Sequence, residues 1–69
     1  MDSRAEIKWY NCFRIEIKDG DNYKVITRPM QSDINEVLKT ADNYEQVRFW
    51  TRTEEVCTIK DGKTYWQVI

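Results

Sequence analysis

The sequence predicts an α+β domain with a four-stranded antiparallel sheet, in the order β-β-α-β-β, and one helix packed on one face. The heptapeptide pattern Ile-Lys-Asp-Gly-x-x-Tyr occurs at residues 17–23 and again at residues 59–65. An alternating apolar run precedes the first copy, and a helical stripe lies between the two copies. Asp-Gly flanked by β-branched and aromatic residues is typical of a β-hairpin, because glycine accepts the positive φ of a tight turn.

The first predicted strand covers residues 7–17, where odd positions are mostly apolar and even positions mostly polar. A period of two indicates a strand with one buried face. Its predicted partner covers residues 23–28. A loop at residues 18–20 would place Ile15 opposite Tyr23.

The segment after this hairpin predicts a short amphipathic helix. Pro29 cannot donate a ladder hydrogen bond, so it ends the pairing, and it favours an extended Arg28. Ser32 or Asp33 is the predicted helix N-cap. The apolar stripe consists of Ile34, Val37, Leu38 and Ala41. This spacing places the four residues on one face of a helix. The helix is predicted to end at Asp42-Asn43.

A third strand is predicted over residues 46–53 and a second hairpin over residues 56–69. If Asp61-Gly62 is a two-residue loop, Cys57 lies opposite Trp66, whereas a three-residue loop places Cys57 opposite Tyr65. The first register is preferred because it buries more apolar area. The core face of this hairpin would then be Cys57, Ile59, Trp66 and Val68, with Tyr65 pointing outward. The rest of the predicted core is Phe13, Ile15, Ile17, Val25, Ile34, Val37, Leu38, Ala41, Val47 and Phe49.

Length and charge limit the class of protein. A chain of 69 residues is expected to form a single domain spanning residues 1–69. Eleven basic and twelve acidic residues give a net charge of -1, which favours neither a basic nucleic-acid binder nor an acidic DNA mimic. The polar N-terminus and the lack of a long apolar stretch predict a cytoplasmic protein without membrane contact.

The residue types argue against an enzyme. The chain has no histidine and two cysteines, so no imidazole can activate a nucleophile and no four-ligand zinc site can form from these types. Two distant glycines make no phosphate-binding loop. We therefore expect no catalytic residue, metal or cofactor. Cys12 and Cys57 are expected to be reduced, and a single disulfide between them is the alternative.

The best candidate for a binding surface is the sheet face turned away from the helix. The alternation places Tyr10, Arg14, Arg48, Trp50 and Arg52 there. Tyrosine, tryptophan and arginine are the residue types enriched at interaction hot spots. Simple cross-strand packing of the arginines on Trp50 is one interpretation of this set, and a protein-binding surface is another.

The sequence-based hypothesis is a non-enzymatic protein-binding module. The alternative is a small single-stranded nucleic-acid-binding protein that uses the same aromatic and basic residues. Exposed sheet edges also leave a homodimer open. In size, near-neutral charge, absence of catalytic residues and strand-rich layout, the chain resembles the small inhibitors, anti-CRISPR proteins among them, that bacteriophages and mobile elements use against host defence. That resemblance implies an inhibitor of viral origin and assigns no residue.

Overall fold

The computed structural model describes residues 6–67 and has an α+β fold. Five antiparallel strands form one sheet in the spatial order β2-β1-β3-β4-β5. The strands are β1 (Arg14–Asp19), β2 (Asn22–Thr27), β3 (Gln46–Trp50), β4 (Glu55–Lys60) and β5 (Lys63–Trp66), and the helix α1 is Gln31–Thr40. Short 3₁₀ helices lie at Trp9–Asn11 and Ala41–Asn43.

The predicted count of four strands is wrong, because the Asp61-Gly62 hairpin supplies two strands in addition to β3. The third strand ends at Trp50, three residues earlier than predicted, and the chain reverses over residues 51–54. The Thr51 N–H donates to the Glu54 carbonyl over 2.8 Å, and the Glu54 N–H donates to Thr51 Oγ1 over 3.0 Å. This turn makes β3 and β4 neighbours.

The core lies between α1 and the inner face of the sheet. Its buried residues are Ile7, Cys12, Ile15, Ile17, Ile34, Val37, Ala41, Val47, Phe49, Cys57 and Ile59. Leu38 and Trp66 are partly buried against this cluster. The predicted helix stripe and the alternation in β1 and β3 are thereby confirmed. Val25 is wrong as a core residue, since it is 43% exposed on the outer face, and Phe13 is only half-buried.

The two Asp-Gly sequences form different turns. In the first hairpin Asp19 pairs with Asn22, so the loop is Gly20-Asp21, and Gly20 has φ +63°. Positive φ at the first loop position is the type II′ pattern. In the second hairpin both Asp61 and Gly62 have positive φ, at +54° and +75°, as in a type I′ turn.

The register follows from these turns. Cys57 pairs with Trp66, which confirms the preferred register of the second hairpin, and Tyr65 is exposed. Val68, predicted on the same core face, lies outside the described residues. The predicted pairing of Ile15 with Tyr23 is wrong, because the two-residue loop places Ile26 opposite Ile15.

Residues 7–13 do not form the predicted strand. The neighbours of β1 end at Thr27 and Trp50, so the backbone before Phe13 has no ladder partner. Its backbone groups instead form local hydrogen bonds in the 3₁₀ helix, where the Cys12 N–H donates to the Trp9 carbonyl over 3.2 Å. In this structure Trp9 is 55% exposed.

The connection from β2 to α1 also differs from the prediction. Arg28 is left-handed, with φ +53°, rather than extended, because the chain turns from β2 into α1 over residues 28–30. The helix N-cap is Met30, not Ser32 or Asp33. The Asp33 carboxylate accepts a hydrogen bond from the Met30 N–H over 2.8 Å, so Asp33 caps the helix from inside its first turn.

Candidate interaction surfaces

The outer face of the sheet carries a compact group of charged and aromatic side chains, Arg14, Glu16, Arg48, Trp50 and Glu55, which we call the outer-face cluster. The register places Glu16 opposite Arg48 and Arg14 opposite Trp50, and Trp50 opposite Glu55 on the next strand. Alternation in β1 and β3 turns Arg14, Glu16, Arg48 and Trp50 away from the core. Glu55 joins them because the pairing of β3 with β4 shifts register between Phe49 and Trp50. Three of the five predicted site residues, Arg14, Arg48 and Trp50, therefore come together as expected.

Glu16 is the centre of this cluster. Its carboxylate accepts hydrogen bonds from Trp50 Nε1 over 2.7 Å and from the Tyr23 hydroxyl over 2.9 Å. Arg14 Nε lies 3.5 Å and Arg48 Nη1 3.9 Å from the carboxylate oxygens. Burial alone would raise the pKa of Glu16, but these hydrogen bonds and the two guanidinium charges outweigh it and lower the pKa below its ordinary value.

A second carboxylate completes the cluster. Glu55 Oε1 accepts a hydrogen bond from Arg48 Nε over 2.7 Å and from the Thr58 hydroxyl over 2.6 Å. Burial would raise the pKa of Glu55, but the bonds from Thr58 and Arg48, with one from Gln67, lower it. The bond to Glu55 raises the pKa of Arg48 in turn.

The guanidinium groups of this cluster also cover the Trp50 ring. The Cζ atoms of Arg14 and Arg48 lie 4.4 and 5.0 Å from the ring centroid. Each arginine of the cluster thus contacts a carboxylate and the indole at the same time. The cluster is internally neutralised, which limits what its cations can offer to a partner.

The other two predicted site residues lie elsewhere. Arg52 stacks on Phe13, with Cζ 5.0 Å from the ring centroid, and not on Trp50. Tyr10 belongs to the 3₁₀ helix and contacts Trp9 edge to face, at 6.1 Å between centroids. The predicted grouping of Arg52 and Tyr10 around Trp50 is therefore wrong, because neither residue continues a strand.

Arg52 and Tyr10 instead line an open groove at the end of the sheet where β3 stops. We call it the aromatic groove, and its aromatic, methionine and arginine side chains are Trp9, Tyr10, Phe13, Arg28, Met30 and Arg52. Polar residues, Asn11, Gln31, Ser32, Thr51 and Thr53, also line it. It is formed by the segments before β1, after β2 and after β3, with the start of α1 beside them. Tyr10 and Met30 are 69% and 68% exposed, so the groove presents large apolar side chains directly to solvent.

The backbone around the groove is fixed by hydrogen bonds. The Phe13 N–H donates to the Trp50 carbonyl and the Arg28 N–H donates to the Phe13 carbonyl, both over 2.6 Å. The Trp9 N–H donates to Gln31 Oε1 over 3.2 Å, which joins the 3₁₀ helix to α1. Positive φ at a residue other than glycine carries strain, and Arg28 carries it at the rim of this groove.

Sequence reasoning did not assign Trp9, Met30 or Arg28 to a surface. Trp9 is an odd position in the alternation of residues 7–17, on the face that the pattern turns toward the helix, but it is not among the predicted core residues. The adjacent pair Trp9-Tyr10 did contain a signal, because neighbouring residues of a strand point to opposite faces and one large aromatic had to be exposed.

Besides these two surfaces, residues 6–67 include two cysteines and acidic side chains, which are possible metal ligands. Burial raises the pKa of the Cys12 thiol to about 11. Cys12 and Cys57 are both buried, and neither forms a disulfide within residues 6–67. Within residues 6–67, no group of three or more acidic or sulfur side chains could hold a metal ion. No helix in the same range is long and apolar enough to cross a membrane. Comparisons with protein families, with curated proteins and with solved structures find no match for this chain.

Proposed function

We propose that this chain is a non-enzymatic protein-binding module that engages its partner through the aromatic groove. The observation that carries the proposal is the exposure of Trp9, Tyr10 and Met30 beside two arginines, Arg28 and Arg52. Exposed apolar side chains grouped at one place mark interaction surfaces on small soluble domains. Aromatic residues and arginine are also the usual hot-spot types, and methionine adapts to varied partners.

The aromatic groove is a better candidate than the outer-face cluster. Arg14 and Arg48 are already paired with carboxylates, so a partner would have to compete with these contacts. Tyr10 and Arg52 keep the role that the sequence suggested. Arg14, Arg48 and Trp50 form a second candidate surface on the neighbouring outer face.

A binding module of this size would act by occupying a surface of its partner. Inhibition of the anti-defence type used by phages and mobile elements is the proposed consequence, because it needs a stable surface and no catalytic group. The groove's shape supports a macromolecular partner. It is open to solvent, with a volume of about 1190 Å³, and it presents Tyr10 and Met30 at the surface, where a partner protein can contact them.

The alternative function is binding of single-stranded nucleic acid. Aromatic rings beside arginines favour it, since bases stack on such rings and phosphates pair with cations. Two features count against it. The lining of the groove contains two cations, Arg28 and Arg52, and Arg52 covers the Phe13 ring on which a base would stack.

The test compares partner capture by the wild-type chain and by Tyr10→Ala. The partner is captured from an extract of the source cells, purified, and its Kd measured against each variant. An anchoring tyrosine contributes about 2 kcal/mol, so Tyr10→Ala should weaken binding about 30-fold. Tyr65→Ala is the matched control, because Tyr65 is also an exposed tyrosine, 52% accessible, on the far strand β5.

Two results would contradict the proposal. Equal binding by wild type, Tyr10→Ala and Trp9→Ala would remove the groove from the interface, and loss on Arg48→Gln alone would move the interface to the outer-face cluster. Capture of single-stranded nucleic acid with a steep loss on added salt would support the alternative function instead.

A further inference from the structure

The aromatic groove has a charge opposite to that of the chain as a whole. The protein has a net charge of -1, yet the described residues that line the groove include two arginines and no carboxylate. Both arginines are exposed, and neither pairs with an acidic side chain among residues 6–67. In contrast, Arg14 and Arg48 on the outer face each lie within 4.0 Å of a carboxylate oxygen.

Phe13 contacts the side chain of one arginine of the groove and the backbone of the other. The Arg52 guanidinium rests on the Phe13 ring, and the Arg28 backbone is bonded to the Phe13 carbonyl. Arg28 keeps a left-handed conformation that glycine would adopt without strain. Because the Arg52 guanidinium is already stacked on a ring, it loses less entropy when it binds. Guanidinium groups also match carboxylates in a bidentate geometry.

We propose that the groove accepts an acidic, extended segment of the partner protein. Carboxylates of that segment pair with Arg28 and Arg52, and an aromatic or aliphatic side chain between them packs on Trp9, Tyr10 and Met30. Charge complementarity favours this partner, because Arg28 and Arg52 pair with no carboxylate among residues 6–67. The apolar surface beside them requires apolar side chains as well, since a purely acidic chain would leave it uncovered. This inference rests on the proposed function and specifies the chemistry of its partner.

The purified wild-type chain is used to select ligands from a display library of random decapeptides. The selection is done at about 0.15 M salt, because interactions between distant exposed charges are then largely screened. The expected result is enrichment of sequences that place Asp or Glu next to an aromatic or aliphatic residue. Chemical-shift mapping with an enriched peptide should move the resonances of Trp9, Tyr10 and Met30. Arg52→Glu should lower the affinity for that peptide at least about fivefold, because an attractive charge contact is replaced by a repulsive one.

Matched variants separate local from global charge effects. The double variant Arg28→Glu with Arg52→Glu should lower the affinity for the peptide at least about tenfold. The double variant Lys60→Glu with Lys63→Glu should change that affinity less than about twofold. Both pairs change the net charge equally, but Lys60 and Lys63 flank the turn at the other end of the sheet. Arg52→Glu alone leaves the strained Arg28 backbone untouched, so it keeps the test valid if the double variant unfolds.

The other outcomes overturn the inference. If the peptides that bind the groove are not enriched in Asp or Glu, the partner segment is apolar and the inference of an acidic segment is wrong. The proposed function would not be contradicted by that result. Equal weakening by the two charge-reversal pairs, or no enriched peptide, would also refute an acidic segment. Chemical shifts at the groove on addition of the oligonucleotide dT10, with none from peptides, would overturn both the inference and the proposed function.

Discussion

Trp50→Phe removes one hydrogen-bond donor from the outer-face cluster while keeping an aromatic ring beneath the arginines. Trp50 lies on the outer face of the sheet and is not part of the core cluster. In the structure its Nε1 donates to the Glu16 carboxylate over 2.7 Å, and Arg14 and Arg48 lie over its ring. We therefore expect the substitution to destabilise the domain.

The magnitude follows from this contact. A hydrogen bond to a charged group contributes about 1.5–3 kcal/mol, and partial exposure of Glu16, at 16%, favours the lower end. Trp50→Phe should therefore reduce the free energy of unfolding by about 1.5 kcal/mol. Trp50→Ala should cost about 2–3 kcal/mol, because both cation–π contacts are lost as well.

Urea denaturation of four proteins measures this directly: wild type, Trp50→Phe, Glu16→Met, and the double variant. Because the two side chains bond to each other, the cycle should give a coupling free energy of about 1 kcal/mol. Trp9→Phe is the control, since Trp9 is exposed, and it should change stability by less than about 0.5 kcal/mol. Additive effects, with Trp50→Phe as stable as wild type, would refute the structural role of this indole.

Three further predictions concern pH, packing and strain. In the folded state the pKa values of Glu16 and Glu55 are lowered below their ordinary 4.5. Their ionised forms therefore stabilise the fold fully above about pH 4.5, and this stabilisation is lost as the pH falls through the lowered pKa values. In urea titrations repeated across the acid range, Glu16→Gln should lose less stability on acidification than the wild type does. Ile34→Ala should cost about 2–5 kcal/mol because Ile34 is fully buried, and an unchanged melting temperature would refute packing of α1 on the sheet. Arg28→Gly should raise the free energy of unfolding by about 0.5–1 kcal/mol, because glycine adopts the positive φ without strain. It should also weaken partner binding. A loss of stability would show that the contacts of the Arg28 side chain stabilise the fold by more than the backbone strain costs.

Local patterns in the sequence carried much of the fold. The stripe of Ile34, Val37 and Ala41 defined the helix, and the glycines defined both reversals, because each signal depends only on neighbouring residues. Gly20 and Gly62 both have positive φ, and a Cβ at either position would meet no atom within 4 Å, so backbone conformation explains their identity.

What sequence reasoning missed depends on contacts between distant segments. Alternation through Trp9 looked like a strand, but a strand needs partners, and the neighbours of β1 end before reaching it. The register of the first hairpin depends on where Gly20 falls in its loop, which Asp-Gly alone leaves open. The aromatic groove combines three separate segments, so no local pattern could reveal that Tyr10, Met30 and Arg52 lie together.

We propose above that the aromatic groove binds a protein. Photo-crosslinking tests it most directly, with benzoylphenylalanine placed at Tyr10 in one protein and at Tyr65 in another. Both positions are exposed tyrosines, but only Tyr10 lines the groove. We predict one discrete protein crosslink from Tyr10, reduced by Arg52→Glu, and none from Tyr65. A crosslink from Tyr65 alone, or a nuclease-sensitive product from Tyr10, would contradict the account.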